Sequence, residues 1–227
     1  MMRFFRGIAV PAKKAEHTVT NICQNGLTNG QGWWHMEHEH PGDLANLFDK
    51  HDLSIEDTRS GSGAVAAVCG CGDESGAIYY ACRHNRSSDH NTPILIEFEA
   101  DKSAAAVDGK DFLYSVFQGG DPERARPVLE RSFGKAVQRY ADRAWSTEDQ
   151  SFRIAMCNLA IHDPEVIEAH HKNELVLAGR HGTIFRSAFT VTLPVGPEAI
   201  IRVSHPVPTQ FVPQPDVRLV DLVRFAK

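Results

Sequence analysis

The sequence predicts an α+β protein, and three observations carry the prediction. Aromatic and aliphatic runs of β character lie near the start and around residues 93–99. The middle of the chain keeps apolar residues at helical spacing, and β-rich segments punctuated by Gly and Pro follow residue 173.

Residues 3–10 read as a first strand. Pro11 is a first-turn proline for a helix carrying Ala15, Val19, Ile22 and Cys23, with Gly26 as its stop. The stretch 25–42, rich in Gly, Asn, His and Trp, reads as a loop. A short helix then carries Leu44, Leu47 and Phe48. Residues 60–63 are turn-like, 64–69 form a small-residue strand, and Asp73 caps a helix holding Ile78, Tyr79, Ala81 and Cys82. Residues 93–99 alternate toward their end and predict a half-buried strand with Glu97 and Glu99 on its wet face.

From Asp121, with Pro122 at the first helical position, the series Ala125, Val128, Leu129, Phe133, Val137 and Tyr140 predicts one long helix. Thr147 and Gln150 form a capping box for a second helix through Phe152, Met156 and Leu159, and Asp163-Pro164 opens a third. Residues 174–177, 183–193 and 199–203 predict three strands. Pro206, Pro208, Pro213 and Pro215 mark an extended, Pro-rich C-terminal segment over 206–227, with 217–225 left open as to type. The expectation for the whole chain, 1–227, is a single domain.

The chain has 227 residues, enough to bury a core without disulfide staples. Its net charge of -5 disfavours a role in coating polyanions or anionic membranes. No run approaches the roughly 18 apolar residues that a membrane span requires. The five cysteines are odd in number and lack a paired pattern, so they read as reduced thiols in a cytosol.

Three places draw attention together: Phe5-Arg6-Gly7, Cys69-Gly70-Cys71 followed by Ala77-Ile78-Tyr79-Tyr80-Ala81, and Glu174-Leu175-Val176-Leu177. Their order resembles the ADP-ribosyltransferase family of the arginine–serine–glutamate class. That class has an aromatic-Arg-Gly first strand, a Ser-Thr-Ser motif, an Ala-x-x-aromatic-Ala helix and a catalytic Glu on a strand. The resemblance spans residues 4–203 and departs from the pattern where Cys69 and Cys71 replace serines and Lys172 stands two residues before Glu174.

The resemblance implies an ADP-ribosyltransferase-like fold of two mainly antiparallel sheets packed with helices. It implies a mono-ADP-ribosyltransferase that cleaves the nicotinamide–ribose bond of NAD and passes ADP-ribose to a macromolecular acceptor, a protein or, less readily, a nucleic acid. Glu174 would be the catalytic carboxylate. Arg6, Gly7, Cys69, Gly70, Tyr79, Tyr80 and His171 would contact or frame the dinucleotide, with no metal required. A toxin or effector delivered into a host or competitor cytosol fits the same resemblance.

The chemistry suits these residue types. Loss of nicotinamide builds positive charge on the ribose, which a fixed carboxylate stabilises. A guanidinium offers phosphates a bidentate fork, and glycine admits close backbone approach. Cys69 and Cys71 read equally as small core residues, Tyr79 and Tyr80 as core aromatics, and His171 as a helix-end histidine.

Two rivals stand beside this reading. The cluster His35, Glu37, His38, Glu39 and His40 offers donors for a metal-dependent hydrolase, although Pro41-Gly42 argues for a loop. A non-catalytic binding module would use Trp33-Trp34 and the Pro-rich segment. Arg124, Arg126, Arg131 and Arg139 form a local basic set that either touches phosphates or is a solvated helix face.

Overall fold

The computed structural model describes residues 1–28, 36–37, 41–53, 66–86, 88–207 and 213–224. The chain divides into two compact units. Residues 1–37, 66–105 and 189–212 make the first, and residues 38–65, 106–188 and 213–227 make the second.

The first unit is built on an antiparallel sheet. Its strands are β1 (Met2–Pro11), β2 (Met36–Glu37), β3 (Ala66–Cys71), β4 (Asn91–Ala100), β5 (Ala105–Val107), β8 (Ala188–Thr192) and β9 (Ile200–Ser204), in the order β5-β8-β3-β1-β4-β9 with β2 on β3. The boundary between the units cuts through β5 and β8. β1 and β4 pair along their whole lengths, from Met2 opposite Ala100 to Pro11 opposite Asn91, which makes them the spine of the sheet.

Alternation along β1 sends Phe4, Arg6 and Ile8 to one face and Phe5, Gly7 and Ala9 to the other. On the first face Phe4 lies 5.8 Å from Phe98 and 5.3 Å, edge-on, from Phe189. On the second, Cys71, Ala77 and Leu95 form a buried cluster joined by Phe5, Ile78 and Tyr80. Helix α1 (Ala15–Asn25) packs against β4 and β9 and ends, as its sequence predicts, at Gly26, whose φ of 70° suits the residue without a Cβ.

Several strand bounds differ from expectation for physical reasons. Pro11 closes β1 instead of opening a helix, and a 3₁₀ turn at Ala12–Lys14 intervenes. β4 is buried on both faces, not half-buried. Glu97 is only 7% exposed and sits between Arg202 (2.9 Å) and Arg3 (3.2 Å), so its charge is compensated rather than solvated.

The second unit is largely helical: α2 (Pro41–Lys50), α4 (Lys110–Gly119), α5 (Pro122–Phe133), α6 (Val137–Trp145), α7 (Gln150–His162) and α8 (Pro164–His171). α7 packs against α2, α4, α6 and α8, which is why its residues from Ala155 to Ile161 are all buried. The predicted long helix is two helices, because Gly134 takes a φ of 76° and its amide closes on Glu130 O, ending α5. The capping box at Thr147 is displaced by Asp149. That carboxylate takes the Ser151 amide at 2.8 Å, while the Thr147 hydroxyl accepts from the Asp149 amide instead.

Arg153 is 8% exposed and clips three segments. Its Nε donates to Ala144 O and Thr147 O, and its Nη1 donates to Gln118 O. The small sheet orders β10 (Val217–Arg218), β6 (Leu177–Ala178) and β7 (Ile184–Phe185), with β10 parallel and β7 antiparallel to β6. The predicted strand at 174–177 is therefore only its last residue and one more. The predicted strand at 183–193 is two, β7 and β8, divided at Ser187, whose φ is 46°. Residues 217–224, open as to type from sequence, supply β10 and a 3₁₀ turn, and they bury Val217, Leu219 and Leu222. Among the described residues no helix is long and apolar enough to cross a membrane.

Candidate functional site

Arg6 is the most unusual residue of the first unit. Its side chain lies on the apolar face with Phe4 and Ile8 and is 5% exposed. Nη1 donates to Cys69 O at 2.6 Å across the β1–β3 pair. Burial lowers its pKa, and the nearby Cys69 and Cys71 oppose that shift. A guanidinium nevertheless keeps its charge, so this strand holds a cation where a leucine would be cheaper.

The middle motif occupies β3. Phe5 opposite Cys71 sets the register, so Gly70 faces the same side as Arg6. A Cβ built on Gly70 would sit 3.6 Å from Phe98 and 3.7 Å from Phe4. Cys69 and Cys71 point the other way, toward Gly7, and all five cysteines are free thiols. Asp73 caps α3 (Glu74–Tyr79), accepting from Gly76 N at 2.8 Å, and a π-helical turn at Tyr80–His84 extends it. Replacing Asp73 with alanine is expected to lower stability by about 1 kcal/mol, read as a shifted denaturant midpoint. An unchanged midpoint would mean that the cap is dispensable.

Gly7 has a different task from the expected approach to phosphates. A Cβ there would stand 1.9 Å from Ala77 O and 2.7 Å from Ala81 N, so the glycine lets the helix backbone lie directly on β1. Asn85 Nδ2 caps the contact by donating to Gly7 O at 2.8 Å. Tyr80 packs into the cluster on this face, meets Tyr79 edge-on at 5.7 Å and meets His84 at 5.3 Å. The expected cofactor set is thus divided by the sheet: Arg6 and Gly70 face one side, Gly7, Cys69 and Tyr80 the other.

Glu174 and His171 belong to the second unit. Glu174 is exposed and lies between α8 and β6, outside any strand. The buried Asn173 shapes this turn. Its Oδ1 accepts from Leu175 N at 2.9 Å and its Nδ2 donates to Leu175 O at 3.2 Å, while Val176 N donates to Asp216. His171 is half-buried at the end of α8, with its carbonyl accepting from Ser187 Oγ.

The neighbouring His170 carries the stronger signal. It is fully buried, stacked on Phe133 at 4.7 Å, and its Nε2 accepts from Ala188 N at 3.1 Å. Because an amide only donates, the proton of the neutral ring sits on Nδ1, which donates to Ser132 O at 2.9 Å. Burial pushes its pKa down to about 4, against the two hydrogen bonds and with help from His171. Helical spacing from Val166 and Ile167 places His170 on the apolar stripe of α8, a signal present in the sequence.

The arginine set does not share one helix, since Arg139 is on α6. Arg124 meets Asp121 at 4.0 Å, Arg126 meets Asp142 at 2.5 Å, and Arg139 pairs with Asp163 and with Glu165 at 3.8 Å. Asp163 also accepts from Tyr140, whose phenol is pushed up to about 12, chiefly by burial. Paired in this way, Arg124, Arg126 and Arg139 offer phosphates little net charge.

The cluster at residues 35–40 and Trp33-Trp34 lie outside the described residues, apart from the β2 backbone. Among the described residues no group of three His, Cys, Asp or Glu is placed to hold a metal. Comparison with protein-family models, with curated proteins and with solved structures gave no match.

Proposed function

We propose that the chain is an NAD-dependent mono-ADP-ribosyltransferase with a protein acceptor, in which Arg6 engages the dinucleotide and Glu174 is the catalytic carboxylate. The observation that carries the reading is the Arg6–Cys69 pair, a buried first-strand guanidinium bonded to the strand that bears the middle motif, with the capped α3 following at once. Holding a cation in an apolar sheet face costs stability, and such costs concentrate where a charge is used. Glu174 would stabilise the positive ribose as nicotinamide leaves. On this reading the dinucleotide contact falls on the Arg6 side of the sheet, since Gly7 and Tyr80 are engaged in packing on the other.

The test is nicotinamide release from NAD by the full chain. Glu174→Gln is a clean variant because the residue is exposed. Its turnover is expected to fall about a hundredfold or more with NAD affinity little changed. Arg6→Lys keeps the charge but loses the fork, and NAD affinity is expected to weaken. Absence of nicotinamide release from the parent chain, or a Glu174→Gln variant as fast as the parent, would overturn the reading.

A further inference from the structure

The cations of the first unit are paired toward one end of its sheet and unpaired at the other. In the half where β1 begins, Arg3 meets Glu97 at 3.2 Å and Glu99 at 3.8 Å, and Arg202 meets Glu97 at 2.9 Å and Glu74 at 2.7 Å. β1 closes at Pro11, opposite Asn91, and there Ala12 N donates to His90 O at 3.0 Å. That bond holds the 3₁₀ turn at Ala12–Lys14 beside the turn that opens β4. Lys13 and Lys14 stand exposed on the 3₁₀ turn, and among the described residues neither has a carboxylate partner.

The π-helical turn at Tyr80–His84 leads to the same end. Asn85, directly after it, donates to Gly7 O at 2.8 Å, and Arg86 donates to Asp89 O at 3.1 Å. Such turns are uncommon and collect at functional sites. This one sets the Tyr80 and His84 rings 5.3 Å apart, with Tyr79 edge-on to Tyr80 at 5.7 Å. A run of rings thus passes from the buried cluster that Tyr80 joins out to His84, which is exposed. Arg83, beside it in the chain, is exposed too and has no carboxylate partner among the described residues. Of the carboxylates in these two stretches, Asp89 is engaged by Arg86 at 3.5 Å, which leaves Lys13, Lys14 and Arg83 against Glu16 alone.

We propose that this end of the sheet binds single-stranded nucleic acid, with Lys13, Lys14 and Arg83 on its phosphates and the His84 ring stacked on a base. Phosphates are held by cations that no carboxylate already neutralises, and unpaired bases stack on exposed rings. A duplex hides its base faces and an anionic lipid surface has none, so the exposed ring selects the single strand. The net charge of -5 disfavours wrapping a polyanion over the whole surface, but it is unevenly spread, and a local excess of cations suffices for a short contact. The surface uses neither Arg6 nor Glu174, so it is tested separately from the transferase reading.

The test follows the fluorescence anisotropy of a labelled oligothymidine of about 15 nucleotides titrated with the full chain. Three phosphate contacts on a single strand predict that affinity falls about a hundredfold between about 20 mM and about 200 mM salt. A chain carrying Lys13→Ala, Lys14→Ala and Arg83→Ala together is expected to bind at least about tenfold more weakly at the lower salt and to lose most of that salt dependence. Its denaturant midpoint should match the parent's, because the three side chains are exposed and unpaired. His84→Ala is expected to weaken binding about fivefold or more without flattening the salt dependence. No binding by the parent at the lower salt would overturn the proposal, and so would a triple variant that binds as tightly as the parent. Equal affinity for a duplex of the same length, or tighter binding to phosphatidylserine vesicles than to the oligonucleotide, would overturn it as well.

Discussion

Replacing Gly7 with alanine is expected to destabilise the protein by about 3 kcal/mol or more, whereas the same change at Gly70 costs under about 1 kcal/mol. Both glycines lie on adjacent strands and both are buried, so composition and exposure do not distinguish them. The difference lies in what the new methyl meets. At Gly7 it falls 1.9 Å from a carbonyl oxygen and 2.7 Å from an amide nitrogen of the overlying helix, both backbone atoms that move only if the helix moves. Lifting the helix also strains the Asn85 bond to Gly7 O and opens the Cys71, Ala77 and Leu95 cluster. At Gly70 the nearest atoms stand at 3.5 to 3.7 Å, ordinary contact distance. Denaturant midpoints for the two variants measure the contrast. Equal midpoints would show that the helix does not rest on β1 as described.

Acidification is expected to destabilise the protein between pH 6.5 and about 4 through His170. The unfolded histidine protonates near its ordinary value of 6.5, whereas the native ring resists protonation until about 4. Below 6.5 the unfolded chain therefore binds a proton that the native chain refuses, and stability falls as pH falls. Across the window the loss amounts to roughly 3 kcal/mol, complete once the pH lies below the native value. Protonation would also oblige Nε2 to donate where it now accepts from Ala188 N. The depressed carboxylates Asp121, Asp149 and Asp163 lose their contributions only below their usual range, so the signals separate.

A His170→Phe variant keeps the stack on Phe133 in outline but strands two backbone partners. It is expected to be less stable at pH 7 and flatter with pH across the window. Denaturant midpoints at several pH values, with the His170 ring followed by NMR, decide the matter. A ring that titrates at 6.5 in the native protein would refute the assignment.

The elements legible in the sequence are those whose signals are local. Asp121-Pro122 and Asp163-Pro164 open α5 and α8 because a carboxylate cap and a first-turn proline act within a few residues. Gly26 ends α1 for the same reason. The end of α5 was equally local, since Gly134 stands between Phe133 and Val137, but continuous apolar spacing masks it. Periodicity assigns no element to residues 102–120, although Phe112, Leu113, Val116 and Phe117 form the buried face of α4.

What depends on partners far along the chain was not legible. Glu97 reads as a wet-face carboxylate until Arg202 arrives from β9, and residues 183–193 read as one strand until Ser187 turns them between two sheets. The candidate site shows both sides of this. Strand alternation alone places Arg6 and Gly7 on opposite faces, so their separation was readable from adjacency. That the methyl-free side of Gly7 receives a helix backbone depended on residues 77–81 folding over it.

The interleaving of the two units along the chain bears on how the protein is made. Each unit is assembled from three separate stretches, and neither is complete before the C-terminal third has left the ribosome: the sheet lacks β8 and β9 until residue 204, and the small sheet lacks β10 until residue 218. Long sequence separation between paired strands slows folding, because loop closure must precede the contacts that reward it. Synthesis therefore exposes a nascent β3-β1-β4 sheet whose outer edges await β8 and β9, a state in which chaperone engagement would protect the chain from pairing with its neighbours.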